Sequence, residues 1–120
     1  MAFYQKVDWC ESVEKAFYKF DKADIVNAKQ LLNENKGLLV KVNNEFYMIL
    51  TKCGETLHVA ECSGQVWQKR HIIVDVCRDI ALKWGCVAMS ARSDSKAYLY
   101  RMARAFDGQV IKKEYLLIRA

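Results

Sequence analysis

The stretch SGQVWQKRHIIVD, residues 63–75, groups polar and basic side chains where an extended apolar run changes to a helical pattern. Gln68, Lys69, Arg70 and His71 follow one another there. Backbone N–H groups at a helix start and cationic side chains both bind phosphate oxygens. The pattern therefore favours a phosphate-bearing cofactor or a nucleic acid as ligand. A solvated first helical turn is the alternative that needs no ligand.

Metal ligands and catalytic nucleophiles have no recognisable motif in the chain. The sequence contains no G-x-S-x-G, Walker, H-E-x-x-H or EF-hand pattern. Its five cysteines include no C-x-x-C pair, whereas structural zinc sites usually pair ligands two to four residues apart. We therefore expect no metal site, and we expect buried free thiols in a reducing compartment.

The composition is that of a globular protein with a mild basic excess. The chain has 120 residues, of which 52% are hydrophobic and 28% charged, and its formal net charge is +5. This length suits a single domain over residues 1–120. The charge favours anionic partners, but the basic residues are dispersed, so a nucleic acid is possible without being favoured.

Hydropathy gives no sign of a membrane or export signal. The longest apolar runs have four or five residues, too few to span a bilayer. The N-terminal MAFYQKVDWCE places acidic and basic residues where a signal peptide has its apolar region. We therefore expect a cytoplasmic protein with no membrane partner.

Helical periodicity recurs in four segments. They cover residues 8–20, a segment between an N-cap at Asp24 and a C-terminal Gly37, residues 66–84, and a segment from Ser93 or Asp94 to Asp107-Gly108.

Extended patterns fill the remainder of the chain. LLVKV, EFYMILTK and TLHVAE, joined at Asn43-Asn44 and at residues 53–55, predict two successive hairpins. Residues 86–90 are apolar throughout, which is typical of an interior strand, and QVIKKEYLLIR (109–119) predicts a last strand. The predicted order is α-α-β-β-β-α-β-α-β, an α+β fold with one mixed central sheet covered by helices.

This order and one local segment resemble the GNAT acyltransferase superfamily. The segment SDSKAYLYRMARAF (93–106) is similar to the family pattern N-x-x-A-x-x-x-Y-x-x-x-G-F when Tyr100 is aligned with its tyrosine. Ser93 then takes the Asn position and Arg104 the Gly position. The likeness covers nearly the whole chain and implies a small, degenerate GNAT-like domain, of a type familiar among phage-encoded proteins.

The resemblance implies two catalytic residues. Tyr100 takes the place of the acid that protonates the departing thiolate, and Tyr98 takes it if the register shifts. Glu61, at the end of the strand nearest the cleft, is the candidate base, with His58 and Glu55 as alternatives. A structural tyrosine and an exposed strand-end carboxylate are the interpretations without catalysis.

The family's pyrophosphate loop, (Q/R)-x-x-G-x-(G/A), corresponds to Gln68-Lys69-Arg70-His71-Ile72-Ile73. His71 and Ile73 occupy the small positions, where a side chain keeps phosphate away from backbone N–H groups. The resemblance thus implies cofactor contacts from residues 68–73 in which Lys69, Arg70 and His71 compensate through their side chains.

The implied function is an N-acyltransferase that uses acetyl-CoA or another acyl-CoA on an unidentified amine. One alternative is a catalytically silent GNAT-like fold that binds a protein partner, for example a phage accessory or virion component located in the host cytoplasm or the virion. A further alternative is a small basic nucleic-acid binder that uses Lys69, Arg70, Arg101 and Arg104, with Trp67 stacking on bases.

Overall fold

The computed structural model describes residues 3–112 and 114–120, which form seven strands and four helices. The strands are β1 (Tyr4–Lys6), β2 (Gly37–Val42), β3 (Phe46–Cys53), β4 (Thr56–Cys62), β5 (Ala88–Arg92), β6 (Gln109–Ile111) and β7 (Tyr115–Arg119). The helices are α1 (Glu11–Ala16), α2 (Lys22–Asn33), α3 (Arg70–Lys83) and α4 (Lys96–Ala105). None of the helices in these ranges combines the length and the apolar character that a bilayer crossing needs.

All the described strands belong to one sheet, in the order β1-β2-β3-β4-β5-β7-β6. Neighbouring strands are antiparallel except β4 and β5, which run parallel. A parallel pair needs a crossover connection, which α3 provides. The parallel junction lies inside the sheet, with antiparallel strands on both sides.

Helices cover both faces of this sheet. On the first face, α1 and α2 pack around buried residues that include Val13, Phe17 and Ile49. On the second face, α3 and α4 pack on a larger buried cluster that includes Met48 and Leu57. Met48 and Ile49 belong to different clusters because successive strand residues point to opposite faces. We call these the α1/α2 face and the α3/α4 face.

Side-chain caps begin two of the helices. Asp21, rather than the predicted Asp24, is the N-cap of α2, and its Oδ1 accepts a hydrogen bond of 2.8 Å from a backbone N–H. Ser95, rather than Ser93 or Asp94, is the N-cap of α4. The predicted caps were wrong by one to three residues because neighbouring Ser and Asp side chains are almost equally good caps.

Left-handed backbone conformations mark several of the connections between elements. Asn43 (φ 49) and Asn44 (φ 55) join β2 to β3, as predicted, and Gly85 (φ 70) follows the end of α3, as predicted. After α2 the left-handed residue is Asn35 (φ 57), whereas Gly37 is the first residue of β2. Asn tolerates this conformation better than most residues, so Asn35 can adopt the left-handed conformation that was predicted for Gly37.

The predicted α+β class with a mixed central sheet covered by helices is confirmed. The predicted order lacked two strands, because β1 and β6 have only three residues each and show no measurable periodicity. The segment predicted as one last strand is an antiparallel pair, β6 and β7. Lys112 lies between them with φ 51, a conformation that interrupts a strand.

The five cysteines all lie in the described ranges, and all are free thiols. Cys77 and Cys86 are buried and Cys62 is partly buried, which agrees with the prediction. Cys10 and Cys53 are exposed, so the prediction of burial was wrong for these two. Cys10 precedes α1 and Cys53 ends β3, positions that no helix or neighbouring sheet covers.

Candidate active site

Strands β4 and β5 separate before β4 ends. Their parallel pairing runs from Thr56 opposite Ala88 to Val59 opposite Ala91. β4 continues to Cys62 without a partner on β5 in the described register. Backbone groups beyond Val59 therefore face an opening in the sheet instead of a neighbouring strand.

A β-bulge in β4 lies at the same point. On β3, Leu50 pairs with Val59 and Ile49 pairs with Glu61, so Ala60 has no partner there. The extra residue changes the alternation of β4 and bends the strand. Without the bulge, Glu61 and Val59 would share the α3/α4 face. With it, Glu61 lies opposite Ile49, on the α1/α2 face.

Two cavities meet at this opening. The first, about 240 Å³, lies between the sheet and α3 and α4, and Tyr98 and Met102 belong to its wall. The second, about 430 Å³, opens on the other face, and Asp24 and His58 belong to its wall. The two cavities share five of their lining residues: Val59, Ala60, Glu61, Arg92 and Ser93. Glu61 is the carboxylate common to both.

Partial burial changes the acidity of Glu61. The pKa of its carboxyl is raised from 4.5 to about 7, chiefly because burial disfavours the charged form and also because the negative charge of Asp24 lies nearby. Asp24 follows the cap of α2 by three residues, and its side chain reaches the second cavity. A carboxyl with a pKa near neutrality can accept a proton from an ammonium group and release it to water.

His58 lies on β4 opposite Ser90 of β5. Its Nδ1 is 2.9 Å from the Ser90 Oγ, and its ring centroid is 6.3 Å from that of Tyr115. Burial lowers the pKa of His58, so the imidazole is neutral at pH 7. The side chain is therefore a polar, uncharged group in the wall of the second cavity.

The two candidate tyrosines lie in different places. Tyr98 is partly buried and lines the first cavity, and burial raises its pKa to about 12, with a smaller contribution from Cys62. Tyr100 is 57% exposed and lines neither cavity. The apolar side of α4 is set by Leu99 and Met102, which turns Tyr98 toward the cavity and Tyr100 toward solvent. The structure thus brings Glu61 together with Tyr98 and not with Tyr100.

The segment before α3 forms a helical turn. The N–H of Lys69 donates to the carbonyl oxygen of Gln65 at 3.0 Å, and the N–H of Arg70 donates to that of Trp67 at 3.4 Å. An open glycine-rich loop leaves such N–H groups free for phosphate, whereas here the N–H groups of Lys69 and Arg70 are bonded within the chain. The segment predicted as a pyrophosphate loop is thus a helical turn that continues into α3.

The six residues predicted to contact a cofactor are spread around this turn. Gln68 is exposed, and Lys69 forms a 2.6 Å salt bridge with Glu45. The His71 ring is exposed and stands 5.3 Å from that of Phe106, centroid to centroid.

Of the other three predicted residues, only Ile73 lines the first cavity. Ile72 is partly buried, and Ile73 is 3% exposed and lines the first cavity. Arg70 stacks on Trp67, with 4.1 Å between the guanidinium carbon and the ring centroid. Ile73 is thus the member of the set that contributes to the cavity wall.

Sequence reasoning missed two residues that the fold brings to the site. Asp24 was interpreted as a helix cap, and only the sheet topology shows that it faces Glu61. Phe20, at the turn between α1 and α2, reaches the wall of the first cavity. The helical periodicity of residues 8–20 marked Phe20 as apolar, but periodicity does not indicate which cavity a residue lines.

No protein-family model matches the chain, and no curated sequence is similar to it. Solved structures do match it over nearly its whole length. An acetyltransferase from Bacillus subtilis in complex with CoA has a TM-score of 0.67 and 11% identity, with 100% of this chain and 99% of that chain covered. An acetyltransferase of the GNAT family from Staphylococcus aureus has a TM-score of 0.61 and 8% identity, with 98% and 99% covered.

A third match is the PaiA N-acetyltransferase from Thermoplasma acidophilum in complex with coenzyme A, with a TM-score of 0.56, 9% identity, and 100% and 99% of the two chains covered. Identities this low show a common fold. The chain has the GNAT fold, as its sequence resemblance predicted. None of these three proteins comes from a phage, so a phage-type origin stays a prediction.

Proposed function

We propose that the chain is an acyl-CoA-dependent N-acyltransferase that moves an acyl group from the thioester to an amine. One observation carries the proposal: two cavities on opposite faces of the sheet meet at Glu61, where β4 and β5 separate. Such an opening lets a thioester on the α3/α4 face and an amine on the α1/α2 face reach one another directly. The CoA complexes of two proteins with the same fold support a CoA ligand.

Glu61 acts as the base in this proposal. An amine is protonated at neutral pH and must lose a proton before its nitrogen can attack the thioester carbon. Because its pKa is about 7, Glu61 is ionised in about half of the molecules at pH 7. The backbone of residues 60–62 that faces the opening offers N–H groups to the carbonyl oxygen as negative charge develops on it.

Tyr98 acts on the leaving group. As the new C–N bond forms and the C–S bond breaks, its hydroxyl donates to the departing sulfur and recovers a proton from solvent. Its raised pKa keeps the hydroxyl protonated through neutral pH, so it remains a donor. The role predicted for Tyr100 belongs to Tyr98 in this proposal, since Tyr98 lines the cavity.

The first cavity fits part of the cofactor. Its walls are mostly apolar, with residues such as Val66, Met89 and Leu116, and its volume is about 240 Å³. These walls suit the thioester and the adjoining pantetheine arm. The N–H groups of Lys69 and Arg70 in the turn before α3 are already hydrogen-bonded within the chain, so they do not offer phosphate the free donors of a glycine-rich loop. In this proposal, side chains contribute to phosphate binding.

The proposal is tested by calorimetric titration with acetyl-CoA, followed by an assay of acetyl transfer to a panel of small amines and lysine peptides. We expect saturable binding and transfer that depends on both substrates. Failure of the wild-type chain to bind acetyl-CoA at millimolar concentration would contradict the enzyme hypothesis.

A second candidate is a catalytically silent GNAT fold that binds a protein partner. The observation that favours it is the turn before α3, where Ile73 is buried and Lys69 is already paired with Glu45. The transfer assay separates the two candidates. Binding of acetyl-CoA without transfer to any amine in the panel would favour the silent fold.

A further inference from the structure

Trp67 is contacted by two arginines from different helices. Arg70 is the first residue of α3 and Arg101 lies in the middle of α4. Each guanidinium carbon is 4.1 Å from the centroid of the Trp67 ring. The two guanidinium carbons can therefore be no farther apart than twice that distance. The indole holds both cations through attraction to its ring face, which replaces the flexibility of long side chains with a fixed arrangement.

Neither guanidinium has an acidic partner in the part of the chain that the structure describes. Among residues 3–112 and 114–120, no carboxylate lies within ion-pair distance of Arg70 or Arg101. The neighbouring Lys69, by contrast, is paired with Glu45. Arg70 uses one nitrogen, Nη1, to donate to the carbonyl oxygen of Trp67 at 2.7 Å. Most of the N–H donors of the two guanidinium groups therefore have no acceptor in the described part of the chain. Their two positive charges lie near one another without a carboxylate to neutralise them.

The cluster borders the first cavity. Val66 and Met102 belong to the cavity wall and are the chain neighbours of Trp67 and Arg101. Ile73, one helical turn after Arg70, belongs to the same wall. A thioester arm in the cavity therefore lies next to the start of α3 and the middle of α4, where Arg70 and Arg101 are located.

We propose that Arg70 and Arg101, held together by Trp67, form a side-chain clamp for a phosphate group of the acyl-CoA. The inference rests on the proposed function for its ligand. Paired guanidinium groups bind phosphate oxygens through several charge-assisted N–H donors. The clamp does the work that free backbone N–H groups do in a glycine-rich loop, and the buried Ile73 is then compatible with cofactor binding. Trp67 is a positioning residue, since its ring is already stacked with arginine.

The test measures binding and not turnover. CoA, dephospho-CoA and pantetheine are titrated calorimetrically into the wild type, Arg101→Ala, Arg101→Lys and the double variant Arg70→Ala/Arg101→Ala. Arg101 is exposed, so its single replacement leaves the fold intact, which the thermal unfolding temperature checks. We expect CoA binding to weaken about 10-fold in Arg101→Ala, less in Arg101→Lys, and about 100-fold in the double variant, with pantetheine binding unchanged.

Arg104 gives the matched control. It is exposed on the same helix and does not stack on Trp67, so Arg104→Ala removes equal charge and is expected to change the affinity less than twofold. A loss of affinity confined to CoA places the 3′-phosphate in the clamp, and an equal loss for dephospho-CoA places the pyrophosphate there. Equal weakening by Arg104→Ala, weakening of pantetheine, or unchanged CoA binding in the double variant would overturn the clamp.

Two further outcomes separate the clamp from the proposed function. Acetyl transfer from a phosphate-free thioester, with CoA binding insensitive to both arginines, would uphold the function and reject the clamp. CoA binding that depends on the arginines, without transfer to any amine, would uphold the clamp and reject the function. Tighter binding of a single-stranded oligonucleotide than of CoA, lost in the double variant, would reassign the cluster to nucleic acid and overturn the proposal.

Discussion

Glu61 owes its properties to neighbours that are distant in sequence. The β-bulge at Ala60 turns its side chain to the α1/α2 face, and Asp24 of α2 adds negative charge there. Asp24 is available for this because Asp21 caps the helix in its place. A strand-end carboxylate with an ordinary pKa would be ionised throughout the neutral range. The position of Glu61 instead makes its protonation state vary around pH 7.

Glu61→Gln is expected to lower kcat about 100-fold, because glutamine cannot accept the proton of the amine. In the wild type, the rate should rise as the pH rises through about 7, because the base must lose its proton first. The variant should lose this rising limb. Steady-state kinetics from pH 5.5 to 8.5 measure both effects. The control is Glu55→Gln in the exposed β3–β4 turn, and an equal loss of rate in that variant would contradict the assignment.

Tyr98→Phe removes the proposed donor to the leaving sulfur and keeps the ring that packs in the cavity. We expect kcat to fall about 10-fold or more, with little change in the KM for acetyl-CoA, because the hydroxyl acts only as charge develops. Tyr100→Phe is the matched control and should retain the wild-type rate, since Tyr100 points to solvent. The reverse result, loss of rate in Tyr100→Phe alone, would restore the sequence-based assignment.

The sequence offered Glu61 and two tyrosines as candidates, but it could not show which tyrosine lines the first cavity. Two residues along a helix correspond to about 200° of rotation, so a register error between Tyr98 and Tyr100 exchanges buried and exposed sides. For Glu61, the alternation of strand residues alone predicts the wrong face of the sheet, because no residue type in TLHVAEC indicates a β-bulge. Such local irregularities come from the pairing of whole strands.

For the helices and strands, a strong hydrophobic periodicity was sufficient for a correct prediction, whereas the short edge strands were not predicted. The hairpins of β2, β3 and β4 and the helix α3 follow from patterns over six or more residues. The edge strands β1 and β6 are held by pairing with β2 and β7, a tertiary effect without a sequence signal of its own. Sequence also predicted helical periodicity from residue 66, whereas residues 66–69 form a separate turn and α3 begins at Arg70.

Gly64, in the connection from β4 to α3, is expected to be required for close packing. A Cβ atom there would lie 2.8 Å from Cγ of the buried Phe46 ring. Gly64→Ala should therefore lower the free energy of unfolding by about 1–3 kcal/mol, measured by urea denaturation. It should also weaken acetyl-CoA binding, because the same connection carries Trp67.

Gly54→Ala is the control that measures the cost of backbone strain in the absence of a steric clash. A Cβ at Gly54 meets no atom within 4 Å, although its φ of +63 disfavours alanine. Its expected cost is about 1 kcal/mol, with acetyl-CoA affinity unchanged. In a double-mutant cycle, Phe46→Ala should reduce the cost of Gly64→Ala, because alanine removes the Cγ and Cδ2 atoms that the new Cβ would meet. Additive costs, or a stable Gly64→Ala variant, would show that the contact is not limiting.

Over the whole molecule, charge is distributed between the two faces of the sheet. The second cavity is lined by three acids, Asp24, Glu61 and Asp94, and by one arginine, Arg92, which forms a salt bridge with Glu114. The unpaired guanidinium groups of Arg70 and Arg101 lie on the α3/α4 face. This arrangement suits a cationic amine on one side and an anionic thioester cofactor on the other. In the proposed reaction, each substrate is attracted to its own entrance, and the opening between β4 and β5 is where the two meet.

The raised pKa of Glu61 also affects the stability of the whole molecule. Between its ordinary value of 4.5 and about 7, the folded chain keeps the Glu61 proton, whereas the unfolded chain has lost it. The unfolded state binds fewer protons in this range, so this group lowers the free energy of unfolding as the pH rises from 4.5 to 7. Glu61→Gln abolishes the effect, and contributions from His58 and other groups cancel in the comparison of the two proteins.

The free energy of unfolding of Glu61→Gln minus that of the wild type should therefore increase between pH 4.5 and pH 7.5. We expect an increase of about 1 kcal/mol, well below the full value of the pKa shift, because solvent screens a partly exposed carboxyl. Urea denaturation at pH 4.5, 6 and 7.5 measures the difference, and Glu55→Gln should show none. A difference that stays constant or falls with pH would mean that Glu61 is ionised freely in the folded protein. The base of the proposed reaction would then lack the near-neutral pKa that its position between the two cavities implies.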